Sequence, residues 1–316
     1  MKKVLVTGGA GFIGSNLTER LLNNNYKVVC IDNFDPFYDR TIKEKNIEKF
    51  KNSNNWKIYE GDILNKELLQ KIFREEKIEL VIHLAAKAGV RPSLINPIGY
   101  YETNVFGTIN ILEAMRNFGL KDMLFASSSS VYGNNKKLPF SETDSVDNPI
   151  SPYAASKKAG ELLCYTYHSL YNFNIFCYRF FTVYGPKQRP EMAIAKFANS
   201  ILKGETITLY DGNGSTSRDY TYIEDIVNGL MNSITRLKGY EIFNLGESQV
   251  VKLSDLVNLL EKYLGKKAKV EFGSRQAGDV ERTFADVEKS KRMLDYNPKI
   301  KIEEGIELYC KWLLSE

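Results

Sequence analysis

The chain is poor in the residues that build metal centres, disulfide frameworks and membrane spans. Its 316 residues include two histidines, His83 and His168, so neither a histidine-built metal site nor a serine–histidine–aspartate triad is expected. The four cysteines, Cys30, Cys164, Cys177 and Cys310, lie far apart and form no C-x-x-C pair. They fit a reducing compartment, where isolated cysteines act as buried apolar fillers. No apolar run approaches the ~18 residues that suggest a membrane-crossing helix. Met1-Lys2-Lys3 leads directly into the strand-like Val4-Leu5-Val6, so no signal peptide is expected. A cytoplasmic location is therefore expected. The 43 basic and 39 acidic residues are dispersed, giving a net charge of +4 with no block of one sign. Nucleic acid and membrane surfaces are thus not expected partners, while a slight positive balance suits an anionic substrate.

What is present is an alternation. Lys3–Val6, Lys27–Ile31, Lys57–Glu60, Leu80–His83 and Met123–Ala126 read as strands, and Phe12–Asn24, Lys66–Glu75 and Ile98–Phe118 as the helices between them. A further strand at Asn174–Tyr178 follows a helix beginning near Tyr153. Near-continuous apolar strands separated by helices predict an α/β fold, a doubly wound parallel sheet of the Rossmann type. After about Gly185 the pattern breaks into shorter pieces around Pro186, Pro190 and the Gly212-x-Gly214 turn, predicting a smaller α/β C-terminal substrate lobe. The expected division is a cofactor domain over residues 1–185, with segments returning at roughly 223–246, and a substrate lobe over residues 186–316.

The first strand runs into Thr7-Gly8-Gly9-Ala10-Gly11-Phe12-Ile13-Gly14. Gly8 permits a tight turn, Gly11 lets the backbone approach a pyrophosphate, and Gly14 lets helix and strand pack closely. The helix opening at Phe12 and Ile13 directs free N–H groups at the phosphates. Asp32, ending the second strand, is suited to the adenosine ribose hydroxyls and would repel a 2′-phosphate. Asn33 and Phe34 follow it rather than an arginine, which favours NAD over NADP. Asp62-Ile63 suits the adenine, with Asp62 as a helix N-cap being the alternative.

Tyr153-Ala154-Ala155-Ser156-Lys157 sets a phenol and an ammonium four residues apart, on one helix face. A free tyrosine has a pKa of about 10; a nearby lysine and the positive nicotinamide ring would both favour the phenolate. Ser127-Ser128-Ser129-Ser130-Val131-Tyr132-Gly133 ends the fifth strand, where doubly wound sheets bind ligands. One of these hydroxyls could hold a substrate hydroxyl against Tyr153; alternatively the run makes only turn and cap contacts.

The glycine loop, His83-Leu84-Ala85-Ala86, the Ser-x-x-Val-Tyr-Gly stretch, Tyr153/Lys157 and Arg218-Asp219-Tyr220 resemble the extended short-chain dehydrogenase/reductases, specifically the nucleotide-sugar 4-epimerases. The resemblance spans essentially the whole chain in order and spacing. It implies Ser128, Tyr153 and Lys157 as catalytic residues and a resident NAD, contacted also by Asn33 and by Leu84, Ala85, Ala86 and Lys87. It implies oxidation at C4 of the sugar, rotation of a 4-keto intermediate, and hydride return to its opposite face. Dehydratases of the superfamily carry an Asp-Glu pair where this chain has Ser129-Ser130, so water elimination is not expected.

Thr182, Arg189 and the loop Gly89-Val90-Arg91-Pro92-Ser93 look like the UDP-glucuronate 4-epimerase group. Ser129, Ser130, Thr182 and one arginine, Arg189 or Arg91, would then hold a substrate carboxylate; both arginines could instead lie on the surface or bind phosphate. Arg218 matches the family's pyrophosphate arginine, Ile207-Thr208-Leu209-Tyr210 the strand beside the uracil, and Asp279 is a further substrate candidate. Gln276 stands where some relatives have arginine, leaving Arg275 and Arg282 as alternatives. Neutral or N-acetylated UDP-hexoses are the rival substrates, decarboxylation of UDP-glucuronate the rival reaction, and a non-enzymatic NAD-binding regulator the remaining reading. A homodimer, paired through Ile98–Phe118 and Tyr153–Tyr171, is expected by resemblance.

Overall fold

In the computed structural model, which describes residues 2–210, 216–274, 278 and 280–316, seven strands form one fully parallel sheet. These are β1 (Lys3–Thr7), β2 (Lys27–Asp32), β3 (Trp56–Glu60), β4 (Leu80–His83), β5 (Asp122–Ser128), β6 (Asn174–Phe180) and, after three strands of the second half, β10 (Tyr240–Leu245). Their order is β10-β6-β5-β4-β1-β2-β3. The intervening strands are β7 (Thr182–Tyr184), β8 (Thr206–Leu209) and β9 (Ser217–Tyr222); β11 (Val250–Lys252) and β12 (Lys269–Phe272) follow. They make two small sheets, β11-β9-β7 and β12-β8.

The inner strands are mostly apolar because both faces are covered, whereas the edge strand β3 has no buried residue. Val4 and Val6 of β1 enter one buried cluster and Leu5 the other; Leu124 and Ala126 of β5 oppose Met123 and Phe125 in the same way. This is the alternation a pleated strand imposes between two helical layers. The strand order reverses at β1, whose neighbours β2 and β4 diverge from it on either side. A crevice opens there, at the carboxyl ends of the strands.

The expected helix Ile98–Phe118 is interrupted. Pro97–Tyr101 is α-helical, Glu102–Phe106 is a π-turn, and Gly107–Asn117 resumes the α-helix. The cause is Asn104, whose amide points into the loop after β4: it accepts from the Lys87 N–H at 2.8 Å and donates to the Lys87 carbonyl at 3.0 Å. A widened turn carries a side chain out of regular register, and π-turns are frequent at functional sites for that reason. Among the described residues no helix is long and apolar enough to cross a membrane.

Candidate active site

The glycine loop turns at Gly8, with φ +70°, and an added Cβ would lie 3.0 Å from the Ala85 backbone. At Gly14 the close approach is tighter, since a Cβ would sit 2.1 Å from the Gly8 carbonyl oxygen. The helix Phe12–Asn23 begins at Gly11 without any side-chain cap, so the N–H groups at its start face the crevice. This uncapped, side-chain-free cradle fits a dinucleotide diphosphate.

Asp32 ends β2 and is buried. Its Oδ2 accepts from the Ala10 N–H at 3.0 Å and its Oδ1 from the Phe34 N–H at 2.8 Å, with the Lys43 ammonium 3.4 Å from Oδ1. These contacts aim the carboxylate at the crevice and leave it lone-pair capacity for ribose hydroxyls. Asn33 Nδ2 donates to Asp62 Oδ2 at 2.7 Å, joining the loops after β2 and β3. Asp62 caps no helix; the next helix is capped by Asn65. Ile63 is buried against Gly107. Leu84, Ala85, Ala86 and Lys87 form the partly exposed loop after β4, where the Leu84 and Ala85 N–H groups donate to Thr7 Oγ1.

Tyr153 and Lys157 project from the helix Pro152–Tyr171, whose start is fixed by Ser151 accepting from the Ala154 N–H. Ser128 ends β5, and its hydroxyl accepts from the Ser130 N–H at 3.1 Å. Burial pushes the Tyr153 phenol above its ordinary value, while the Ser128 hydroxyl beside it and the charge of Arg189 pull the other way. The Lys157 ammonium donates to the Ala126 carbonyl at 2.7 Å, and burial lowers its pKa to about 8. The lysine is thus engaged with the strand that carries Ser128, and the groups favouring the phenolate here are Ser128 and Arg189.

The comparisons with known proteins agree along the whole chain. Residues 5–309 match the family model described as GDP-mannose 4,6 dehydratase. A UDP-glucuronate 4-epimerase of Thermodesulfobacterium geofontis is 45% identical over 309 residues, covering 98% of this chain and 95% of that protein. The solved UDP-glucuronic acid 4-epimerase of Bacillus cereus, in complex with UDP-glucuronic acid and NAD, superposes with a TM-score of 0.94 at 35% identity and covers 99% of each chain. A UDP-glucose 4-epimerase of Thermotoga maritima, solved with UDP-glucose, superposes at 0.91 with 31% identity, again over 99% of each. The chain belongs to the nucleotide-sugar 4-epimerase family of the extended short-chain dehydrogenase/reductases.

The epimerase's remaining candidates fall into two groups. Ser129 and Ser130 are half-buried beside Ser128, and Thr182 opens β7. Arg189 approaches Tyr153 closely enough to influence it, yet its Nε is paired with Glu191 at 3.1 Å. Arg91 is exposed on the first helical turn after Gly89, with its guanidinium 4.9 Å from the Tyr210 ring, so the loop after β4 touches the end of β8. Arg218 donates from Nη1 to the Ser217 and Glu281 carbonyls. Asp279, Arg275, Gln276 and the Gly212-x-Gly214 turn lie outside the described residues.

Three residues that sequence reasoning did not assign hold the site together. Asn104 also donates to Ser156 Oγ at 2.9 Å, linking the cofactor loop to the catalytic helix. Tyr100 sets its ring at right angles to Tyr153, centroids 6.1 Å apart, and donates to the Ala88 carbonyl. His83 is buried between Thr7 and Thr108, at 2.7 and 3.0 Å. Only the π-turn could have announced Asn104, and helical periodicity does not report it.

Proposed function

We propose that this epimerase interconverts UDP-glucuronate and UDP-galacturonate through a transient 4-keto sugar, with NAD as resident cofactor. The observation that carries the reading is the Ser128 hydroxyl against the Tyr153 phenol, beside Arg189, next to two serines where a dehydratase would need carboxylates. The glycine cradle and Asp32 would hold the dinucleotide, with Asn33, Asp62, Ile63, Leu84, Ala85, Ala86 and Lys87 lining it. Bound NAD supplies the hydride acceptor and donor for C4.

Tyr153 takes the proton from the sugar O4 onto its phenolate oxygen and returns it when C4 is reduced, so the proton count closes without solvent. Ser128 holds O4 toward Tyr153. Lys157, on the Ala126 carbonyl, sets positive charge one turn below the phenol. Ser129, Ser130, Thr182 and Arg189 receive the substrate carboxylate, Arg189 exchanging Glu191 for it. Arg91, Tyr210 and Arg218 belong to the nucleotide end, with Asp279 a further candidate. The 4-keto uronate is a β-keto acid and loses CO₂ readily when its carboxylate is desolvated or misaligned. Hydroxyl donors that keep it hydrogen-bonded in the ring plane oppose that loss.

The division into a cofactor domain over 1–185, with segments returning near 223–246, and a substrate lobe over 186–316 is kept as part of this reading. So are a cytoplasmic location and a homodimer. Ile98, Phe106, Leu162 and Tyr165 expose apolar surface on the two helical segments flanking the site, and a second copy would cover it.

The test is to incubate the protein with UDP-glucuronate, UDP-glucose and UDP-N-acetylglucosamine and resolve the products. UDP-galacturonate supports the proposal, and turnover of the neutral sugars alone would sink it. Tyr153→Phe, which removes the base, should turn nothing over.

A further inference from the structure

Asp35 lies three residues beyond β2, and Lys87 four residues beyond β4. The Lys87 ammonium meets Asp35 Oδ2 at 2.8 Å. In the sheet, β2 and β4 flank β1 on opposite sides. A bond between their following loops therefore crosses the carboxyl end of β1, where the loop Gly8–Gly14 begins and where a diphosphate has to lie.

Both ends are anchored. The Lys87 backbone is gripped on its N–H and its carbonyl by Asn104, whose amide also donates to Ser156 beside Tyr153. Asp35 Oδ1 accepts from the Phe37 N–H at 2.9 Å, and its own N–H donates to Asn33 Oδ1, which is tied through Nδ2 to Asp62. Phe34, with φ +50° and its ring buried, folds this loop back toward the crevice. The side chains of Lys87 and Asp35 are 32% and 28% exposed, wet enough for the pair to open and close.

The epimerisation needs such a device. The same cofactor must be present in both half-reactions, so release between them strands the ketone.

We propose that Asp35 and Lys87 form a strap across the dinucleotide diphosphate that slows NAD release and keeps one cofactor in place through both half-reactions, an inference that rests on the NAD reading above. Asp35 is a positioning residue in this scheme and touches no reacting atom. Burial works against its carboxylate, but the Lys87 ammonium and the Phe37 N–H outweigh it and hold its pKa below the ordinary carboxylate value.

The experiment loads the wild type and Asp35→Asn with NAD, removes the free nucleotide, and follows protein-bound NAD with time. Asparagine keeps the Oδ1 acceptor for Phe37 and deletes only the charge. Release should be about fivefold faster or more in Asp35→Asn at low salt, the scale of one lost charge-assisted hydrogen bond. The difference should shrink at high salt, which screens a half-exposed pair. Asp35→Glu should restore slow release. Should Asp35→Asn not fold, Asp35→Ser deletes the same charge and retains an acceptor for the turn.

Equal release rates would overturn the strap while leaving the NAD reading intact. Slower release from Asp35→Asn would also overturn it, since Lys87 would then grip the cofactor better without its partner. No NAD binding by either protein would remove both.

Discussion

Arg179 and Glu161 are paired in the core at two points, Nε to Oε1 and Nη2 to Oε2, both at 2.9 Å. Ser127, one residue before Ser128, donates its hydroxyl to the same carboxylate at 2.6 Å. The guanidinium also lies 4.9 Å from the Tyr132 ring. The pair therefore ties β6, the catalytic helix and the end of β5 together beneath the candidate site. Both side chains are at most 2% exposed, so removing Glu161 leaves the Arg179 guanidinium charged and dry without its carboxylate partner.

Glu161→Ala should accordingly cost about 3–5 kcal/mol in urea unfolding, the range for breaking a buried pair. The double variant Glu161→Ala/Arg179→Met should recover a substantial part, because the orphaned charge is gone. A single-variant loss below about 1 kcal/mol, typical of surface pairs, would contradict the buried-pair account.

His83 gives the fold an acid limit. Thr7 Oγ1 accepts from two backbone N–H groups, so its own proton goes to His83 Nδ1; the ring proton is then on Nε2 and donated to Thr108. Burial, with the charge of Lys157, lowers the His83 pKa from its ordinary 6.5 to about 3. The folded state refuses a proton that the unfolded chain accepts below 6.5, so this contribution is intact above pH 6.5 and is lost as pH falls toward 3. His83→Gln should be less stable than the wild type at pH 7.5, with the gap narrowing steadily as pH falls below 6.5. A gap independent of pH would contradict the neutral-histidine assignment.

If Thr182 helps hold the substrate carboxylate, Thr182→Val keeps the side-chain shape and loses one hydroxyl donor. One such hydrogen bond is worth about 0.5–1.5 kcal/mol. The ratio of pentose to galacturonate product should then rise by roughly 2–10-fold, read by chromatography of the nucleotide sugars. An unchanged ratio would exclude Thr182 from the carboxylate contacts.

The apolar band on the helical segments flanking the site predicts a subunit interface. Leu162 and Tyr165 are 56% and 55% exposed, and glutamate at both positions should convert a dimer to monomer in sedimentation velocity. A wild type that sediments as a monomer at micromolar concentration would refute the interface.

The parallel sheet was legible because its strands are buried on both faces and so read as apolar runs; β1 to β6 lie within about two residues of where the runs begin and end. The glycine loop was legible for a steric reason, since a Cβ at Gly8 or Gly14 collides with backbone. β7 and β9 were not. Thr182–Tyr184 is three residues long, and Ser217–Tyr222 opens on three polar residues, with burial that depends on partners distant in sequence. Arg218-Asp219-Tyr220 stood out as a motif, but the task of Asp219 appears only in three dimensions. Its carboxylate accepts from the backbone of Glu247, Ser248 and Ala285, pinning the small sheet to two later loops. The π-turn at Asn104 was hidden because it sits between two α-helical segments that continue one another in sequence. The pairing of Arg189 with Glu191 and of Lys87 with Asp35 depends on loop geometry that no periodicity encodes.

The central claim is that one hydrogen leaves C4 of the sugar and returns to C4 on the other face within a single binding event. UDP-glucuronate carrying deuterium at C4, converted in ordinary water and analysed by mass spectrometry and NMR, tests it most directly. The account predicts UDP-galacturonate that retains the label fully at C4. Loss of the label to solvent, or its appearance at another carbon, would contradict it.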